Sequence, residues 1–137
     1  MSAHLTSLHA WEASNNPSSA WVICLCADWC GVCRSYRELF TQVATQFPQL
    51  RFAWLDVEDE AALVGDLDIE TFPTVLVATK DEARFLGALT PHAQTLSRLI
   101  ESVTARTNQG GAVQTPIDIA ALLRVLQASP EFWIGPR

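Results

Sequence analysis

Residues 20–33 have the sequence AWVICLCADWCGVC, which joins an uncharged apolar run to two thiols three positions apart. The run at 20–27 predicts a buried strand. Residues 31–47 repeat apolar side chains at helical spacing, which predicts an amphipathic helix. Cys30 and Cys33 therefore lie where a strand leads into the first turn of a helix. Free backbone N–H groups and the helix dipole favour negative charge at that position, and the thiolate is the reactive form of cysteine.

The cysteines are unevenly distributed along the chain. All 4 of them, Cys24, Cys26, Cys30 and Cys33, fall within one short segment. A structural disulfide framework would spread its cysteines to join distant segments. The clustering therefore indicates chemistry. Cys24 and Cys26 alternate with other residues of the predicted strand and so share one of its faces.

Composition and charge bound the class of protein. The 137 residues are 49% hydrophobic and 18% charged, which predicts one globular domain. The net charge of −6 gives no support for binding nucleic acid or an anionic membrane. No apolar run approaches the roughly 18 residues of a membrane span. The first residues lack the pattern of a secretory signal, so we expect a cytoplasmic protein.

Four strands and five helices follow from hydrophobic periodicity and turn residues. We predict strands at 20–27, 51–57, 74–79 and 83–86, helices at 31–47, 58–67, 91–104 and 117–127, and a short N-terminal helix containing Leu5, Leu8 and Trp11. This order predicts an α/β fold with a central mixed sheet of about four or five strands, parallel at its centre and antiparallel at an edge.

The C-terminal part of the chain departs from this pattern after a glycine-containing break. We divide the protein into a domain at 1–106 and an extension at 107–137 with one short helix. A helix of about 11 residues is rarely stable alone in water. The extension should therefore dock on the domain or on a second subunit, and the sequence leaves that choice and the oligomeric state open.

Several motifs together resemble the thioredoxin family. They are ADWCGVCR at 27–34, TFPTV at 71–75 about forty residues later, FLGAL at 85–89, and Asp56 after an apolar strand. A Cys-x-x-Cys pair alone would be weak evidence. The tryptophan before it, the strand upstream and the Phe-Pro-Thr downstream make the combination specific. The resemblance covers residues 20 to about 105.

This resemblance implies a thioredoxin-like fold and a protein-disulfide oxidoreductase that needs no cofactor or metal. It implies that Cys30 attacks a substrate disulfide and that Cys33 resolves the mixed disulfide. Phe72–Pro73 should be a cis peptide bond, opposite the cysteines. The substrate-binding surface should contain Trp29, Gly31, Val32, Phe72, Pro73, Thr74, Leu86, Gly87 and Ala88. The partners implied are protein disulfides and an electron-donating reductase. A cytosolic glutathione potential of roughly −220 to −320 mV would keep the pair reduced, which favours a disulfide reductase.

Three positions differ from the family pattern. Val32 replaces a proline between the two cysteines. Cys24 aligns with a buried aspartate that helps to move a proton at the second thiol, and the lysine that accompanies this aspartate aligns with Phe52. Cys26 aligns with a tryptophan. These changes leave the nucleophile intact, and they make Cys24 and Cys26 candidate modulators of its redox behaviour.

Two other functions remain open at this stage. The four thiols could form an all-cysteine zinc site or hold an iron–sulfur cluster, although Cys24 and Cys26 lie within an apolar strand and need not converge on the loop. Alternatively, the protein could be a binding or chaperone-like module with weak redox activity. Loss of the aspartate and the lysine, together with the C-terminal extension, favours that alternative.

Overall fold

The computed structural model describes residues 20–105 and 112–135. The predicted helix containing Leu5, Leu8 and Trp11 lies outside these residues. The strands are β1 (Trp21–Cys26), β2 (Arg51–Asp56), β3 (Thr74–Thr79), β4 (Glu82–Ala88) and β5 (Trp133–Ile134). The helices are α1 (Gly31–Gln46), α2 (Ala61–Val64), α3 (Ala93–Ala105) and α4 (Ile119–Gln127), with 3₁₀ turns at Gly65–Leu67 and Pro130–Phe132.

The strands form one mixed sheet in the order β4-β3-β1-β2-β5. β1 and β2 are parallel, and every other neighbouring pair is antiparallel. The turn between β3 and β4 has positive φ at Lys80 and Asp81, as a tight two-residue hairpin requires. The predicted α/β fold, with a central mixed sheet of about four or five strands flanked by helices, is confirmed.

Helices cover both faces of the sheet. One face packs against α1 and α3, with Tyr36, Phe40, Leu96 and Ile100 fully buried. The other face packs against α2 and α4, with Val64 and Leu126 buried. Alternate residues of each strand point to opposite faces, so Cys24 and Cys26 both lie on the α1 side. The cysteine segment is therefore backed by a continuous apolar core.

The C-terminal helix docks on the sheet of its own chain. Asp118 caps α4 by accepting a hydrogen bond from the backbone N–H of Ala121. The apolar face of α4 packs on the sheet through Ile119, Leu122, Leu123 and Leu126. This packing answers the question, left open by the sequence, of what the helix contacts.

After α4 the chain enters the sheet as β5, whereas the sequence predicts only one short helix in the 107–137 extension. β5 pairs with Phe52 and Ala53 of β2. The Trp133 indole donates a hydrogen bond to the Leu126 carbonyl at 2.6 Å. Gly135 follows at φ 89°, and a Cβ there would lie 2.9 Å from the Cβ of Ala44. This close approach to α1 requires glycine.

None of the helices within 20–105 and 112–135 has the length and apolar character needed to cross a bilayer.

Candidate functional site

Cys30 is the N-cap residue of α1, with extended backbone angles of φ −86° and ψ 122°. Its N–H donates to the Ala27 carbonyl at 3.0 Å, and its own carbonyl accepts from Arg34 at 3.1 Å. Its thiol is half-buried and free. The first turn of α1 contains no acidic residue that would oppose a negative charge at this sulfur.

The disulfide of this structure joins Cys26 to Cys33, with their Cα atoms 5.7 Å apart. Cys26 ends β1, and Cys33 lies in the first turn of α1. Both are buried, at 0% and 1% exposure. The Cys30–Cys33 disulfide implied by the family resemblance is therefore not the bond present in this structure. Cys33 is the more buried member of the Cys-x-x-Cys pair, but Cys26 holds its sulfur.

The fourth cysteine, Cys24, is fully buried and free. Burial raises the pKa of its thiol far above the ordinary value, and the positive charge of Arg37 offsets only part of that effect. Tyr36 lies in the same core, and its hydroxyl has no hydrogen-bond partner among the described residues. Burial raises the Tyr36 pKa, and the neighbouring Cys24 raises it further. Cys24 therefore stays protonated at neutral pH.

The Asp56 carboxylate connects the cysteine loop to the turn after β2 through hydrogen bonds. One carboxylate oxygen accepts the Asp28 N–H at 2.7 Å, and the other accepts the N–H groups of Glu58 at 2.8 Å and Asp59 at 3.0 Å. Partial burial raises the pKa of this carboxyl, but the three backbone donors lower it more, so the net pKa lies below its usual value. The ionised side chain is therefore the form that holds the loop.

Trp29 connects the loop to two other segments. Its side chain is 63% exposed. Its indole N–H donates to the Glu58 carboxylate at 2.9 Å, and its ring contacts Phe72 edge-to-face with centroids 5.7 Å apart. The Phe72–Pro73 peptide bond is cis. The predicted tryptophan and the predicted Phe-Pro turn are thus brought into contact.

The remaining predicted surface residues divide between two neighbouring segments. Gly31 and Val32 are exposed beside Cys30, with Val32 at 44% exposure. Thr74 is buried and donates its hydroxyl to the Thr71 carbonyl at 2.6 Å. Gly87 is half-buried opposite Val75, and Ala88 is exposed opposite Thr74. Strand pairing thus holds the end of β4 next to the Phe-Pro turn.

The potential metal ligands do not assemble as the four-cysteine alternative requires. Because Cys26 and Cys33 share a disulfide, only Cys24 and Cys30 retain thiols. In the described ranges, the cluster with three ligand atoms close enough to share an ion consists of Asp28, Asp56 and Asp59, whose oxygens lie within 4.8 Å of one another. Both Asp56 oxygens already accept backbone N–H groups.

Two contacts of this site are not predicted from the sequence. Glu58 falls in the predicted helix at 58–67, and its carboxylate accepts the hydrogen bond from Trp29. Cys26 is a predicted strand residue and candidate redox modulator, and in the structure it is disulfide-bonded to Cys33. The position of Cys26 at the end of the strand, one short loop before the helix, is the signal that could have suggested the second contact.

Known proteins share this fold and sequence pattern. The thioredoxin family model matches residues 4–104. Thioredoxin H2-1 of Oryza sativa subsp. japonica is 31% identical over 80 residues, which are 57% of this chain and 58% of the rice protein. Thioredoxin C-3 of Corynebacterium nephridii is 37% identical over 70 residues, 50% of this chain and 48% of that protein. The chain thus spans about half the length of these curated relatives.

Solved structures give the same result for the fold. The X-ray structure of Fasciola hepatica thioredoxin superposes with a TM-score of 0.57 at 19% identity, covering 72% of this chain and 92% of that one. The family model matches well over half of the sequence, and the sheet and its flanking helices agree with it. The chain belongs to the thioredoxin family.

Proposed function

We propose that this protein reduces disulfide bonds of other proteins, with Cys30 as the nucleophile and Cys33 as the resolving thiol. Family membership and the presence of a disulfide at the site support thiol–disulfide exchange as the chemistry. Exchange requires only thiols and a disulfide, so no cofactor or metal enters the proposal.

The position of Cys30 is the observation that carries the proposal. Of the four cysteines, it has the accessible thiol, and it caps the N-terminus of α1. Unpaired backbone N–H groups and the helix dipole stabilise negative charge at that point. The other free thiol, Cys24, is fully buried and stays protonated, so it is a poor nucleophile.

The surface around Cys30 supports an extended protein substrate. Trp29 and Val32 are large exposed apolar side chains that flank Cys30 in the sequence. Phe72 contacts Trp29, and Gly87 and Ala88 lie beside the Phe-Pro turn. We propose that Trp29, Gly31, Val32, Phe72, Pro73, Thr74, Gly87 and Ala88 form the binding surface, with backbone groups near Pro73 pairing to the substrate.

The direction of electron flow follows from the proposed setting. In a cytoplasmic glutathione pool at roughly −220 to −320 mV, a dithiol of this kind is kept reduced. The partners are then protein disulfides on one side and an electron-donating reductase on the other.

The proposal is tested by insulin reduction in dithiothreitol, comparing the wild type with Cys30→Ser. We expect Cys30→Ser to fall to the rate of dithiothreitol alone, because no accessible thiol remains. Cys24→Ala is the matched control, since it also removes one cysteine, and its rate should stay within about twofold of wild type.

An unchanged rate in Cys30→Ser would overturn the proposal. If, in that case, Cys30→Ser also bound unfolded insulin chains as the wild type does, the chaperone-like alternative would replace the reductase proposal. Metal analysis of the reduced wild type addresses the zinc alternative separately, because a four-thiolate site would bind about one equivalent.

A further inference from the structure

Cys33 is bonded to Cys26 in the structure and is also a close neighbour of Cys30. Cys30 and Cys33 lie three positions apart at the start of α1, and residues with that spacing are neighbours on one face of a helix. The Cα atoms of Cys26 and Cys33 are 5.7 Å apart, within the usual range for a disulfide. The Cys33 sulfur can therefore form a bond with either of two cysteines.

We propose that Cys26 is a third redox residue, which takes over the Cys30–Cys33 disulfide after each turnover and stores the oxidation as a buried Cys26–Cys33 bond. This inference rests on the proposed function, because Cys30 must first attack a substrate. It adds a residue whose family counterpart is a tryptophan without redox chemistry.

The steps balance as three exchanges. The Cys30 thiolate bonds to one sulfur of the substrate disulfide, and the other substrate sulfur leaves as a thiolate. Cys33 loses its proton and bonds to Cys30, which releases the second substrate thiolate. Cys26 loses its proton and bonds to Cys33, the Cys30–Cys33 bond breaks, and Cys30 leaves as a thiolate. The substrate gains two electrons and two protons, and the last exchange changes no net oxidation state.

The surroundings of the shared sulfur support this transfer. The Ala27 N–H, between β1 and Cys30, points at Cys33 Sγ with a nitrogen–sulfur distance of 3.3 Å. A donor at that position stabilises charge on Cys33 whenever its bond to a partner is broken. Cys24 is a poorer candidate for the third thiol, because it remains free while Cys26, on the same face of β1, is the residue bonded to Cys33.

Because the Cys26–Cys33 disulfide is buried, its reduction has to proceed through Cys30. Cys26 and Cys33 are 0% and 1% exposed, so a protein reductant cannot reach their bond directly. Cys30 must attack Cys33 in the reverse of the last step and pass the disulfide outward. The oxidised protein consequently keeps one reactive thiol at Cys30, unlike a protein that stops at a Cys30–Cys33 bond.

Disulfide mapping of the full chain tests the transfer. Reduced wild type is oxidised with excess insulin, its free thiols are alkylated without denaturation, and it is then digested by trypsin together with a protease that cleaves before aspartate. Cleavage before Asp28 and after Arg34 separates Cys26 from the other two. We expect a peptide containing Cys26 to be cross-linked to the 28–34 peptide through Cys33, with Cys30 alkylated.

Cys26→Ser and Cys26→Ala are the variants compared with wild type in the same mapping experiment. In both variants the oxidised product should be a Cys30–Cys33 loop within the 28–34 peptide, with Cys30 unlabelled. In Cys30→Ser, a chemically formed Cys26–Cys33 bond should resist thioredoxin reductases and glutathione at least tenfold longer than in wild type.

A Cys30–Cys33 loop in oxidised wild type, with Cys30 protected from alkylation, would overturn the transfer while leaving the reductase function intact. Insulin reduction that does not need Cys30 would instead overturn the proposed function itself. The two failures are therefore distinguished by mapping and by activity.

Discussion

The Asp56 carboxylate accepts backbone N–H groups from both sides of the site, from Asp28 before Cys30 and from Glu58 and Asp59 after β2. Its pKa in the folded protein lies below the ordinary value, so the folded state binds this proton more weakly than the unfolded chain does. The resulting stability is fully present above the unfolded pKa, near 4, and is lost as the pH falls through the lower folded pKa.

Asp56→Asn should lower the free energy of unfolding by about 1 kcal/mol at pH 7, a value reduced to allow for the partial exposure of the carboxyl. The difference from wild type should shrink when urea unfolding is repeated at pH 3, because that pH is below the ordinary pKa of the unfolded carboxyl, near 4. Glu101→Gln, which neutralises an exposed carboxyl on α3, is the control. An Asp56→Asn effect of the same size at both pH values would contradict this role.

At the residue scale, the sequence indicated which residues carry the chemistry, but not all of the contacts that these residues make within the fold. The Cys-x-x-Cys motif placed Cys30 at the start of a helix, because local periodicity defines that helix. Phe72 lies about forty residues further along, and only the family resemblance placed it near Cys30. The bond between Cys33 and Cys26 depends on how β1 packs against α1, which local patterns do not specify. The hydrogen bond from Trp29 to Glu58 joins residues 29 positions apart and is equally nonlocal.

At the element scale, helix α4 contributes much of the core on its side of the sheet. Leu126 is fully buried there, against strand residues such as Ile23 and Leu55. Leu126→Ala should therefore lower the free energy of unfolding by about 2–4 kcal/mol, through lost burial and the remaining cavity. Gln127→Ala, at the adjacent exposed position, should change it by about 0.5 kcal/mol or less.

Urea denaturation of both variants measures this difference. Equal effects of the two substitutions would show that α4 is not docked as described. The insulin-reducing activity of folded Leu126→Ala should be retained, because α4 packs on the face of the sheet opposite to Cys30 and α1.

Most elements were predicted to within a few residues, because their hydrophobic periodicity is strong. Helix 31–47 corresponds to α1 at Gly31–Gln46, and strand 74–79 to β3. The acidic segment 58–67 forms only the short α2 and a 3₁₀ turn. β5 was missed because two residues are too few to show alternation, and its pairing with β2 joins distant parts of the chain. The division at residue 106 stays a prediction.

At the scale of the whole molecule, the topology gathers the site at one end of the sheet. β1 and β2 are parallel, so the Cys26 and Asp56 ends lie side by side. β3 is antiparallel to β1, which brings its first residue, Thr74, opposite Leu25, and Ala88 of β4 pairs with Thr74. Loops at the carboxyl ends of parallel strands are a common location for binding sites.

The C-terminal segment attaches elsewhere on the same sheet. The Val113 N–H donates to the Ala83 carbonyl in β4 at 2.7 Å, α4 crosses one face, and β5 pairs with Phe52 and Ala53 near the start of β2. The contacts of Val113 and of β5 lie toward the opposite end of the strands from Asp56. The segment therefore stabilises both edges of the sheet while leaving the cysteine loop accessible.

The central claim is that Cys30 is the sulfur that attacks the substrate and that Cys33 then releases it. Intact mass spectrometry of Cys33→Ser after incubation with insulin tests this claim most directly. Without Cys33, and with Cys26 fully buried, the mixed disulfide has no resolving thiol. The account predicts a dithiothreitol-sensitive insulin adduct that maps to Cys30 and is absent from the Cys30→Ser/Cys33→Ser double variant. An adduct on another cysteine, or none under conditions in which wild type reduces insulin, would contradict it.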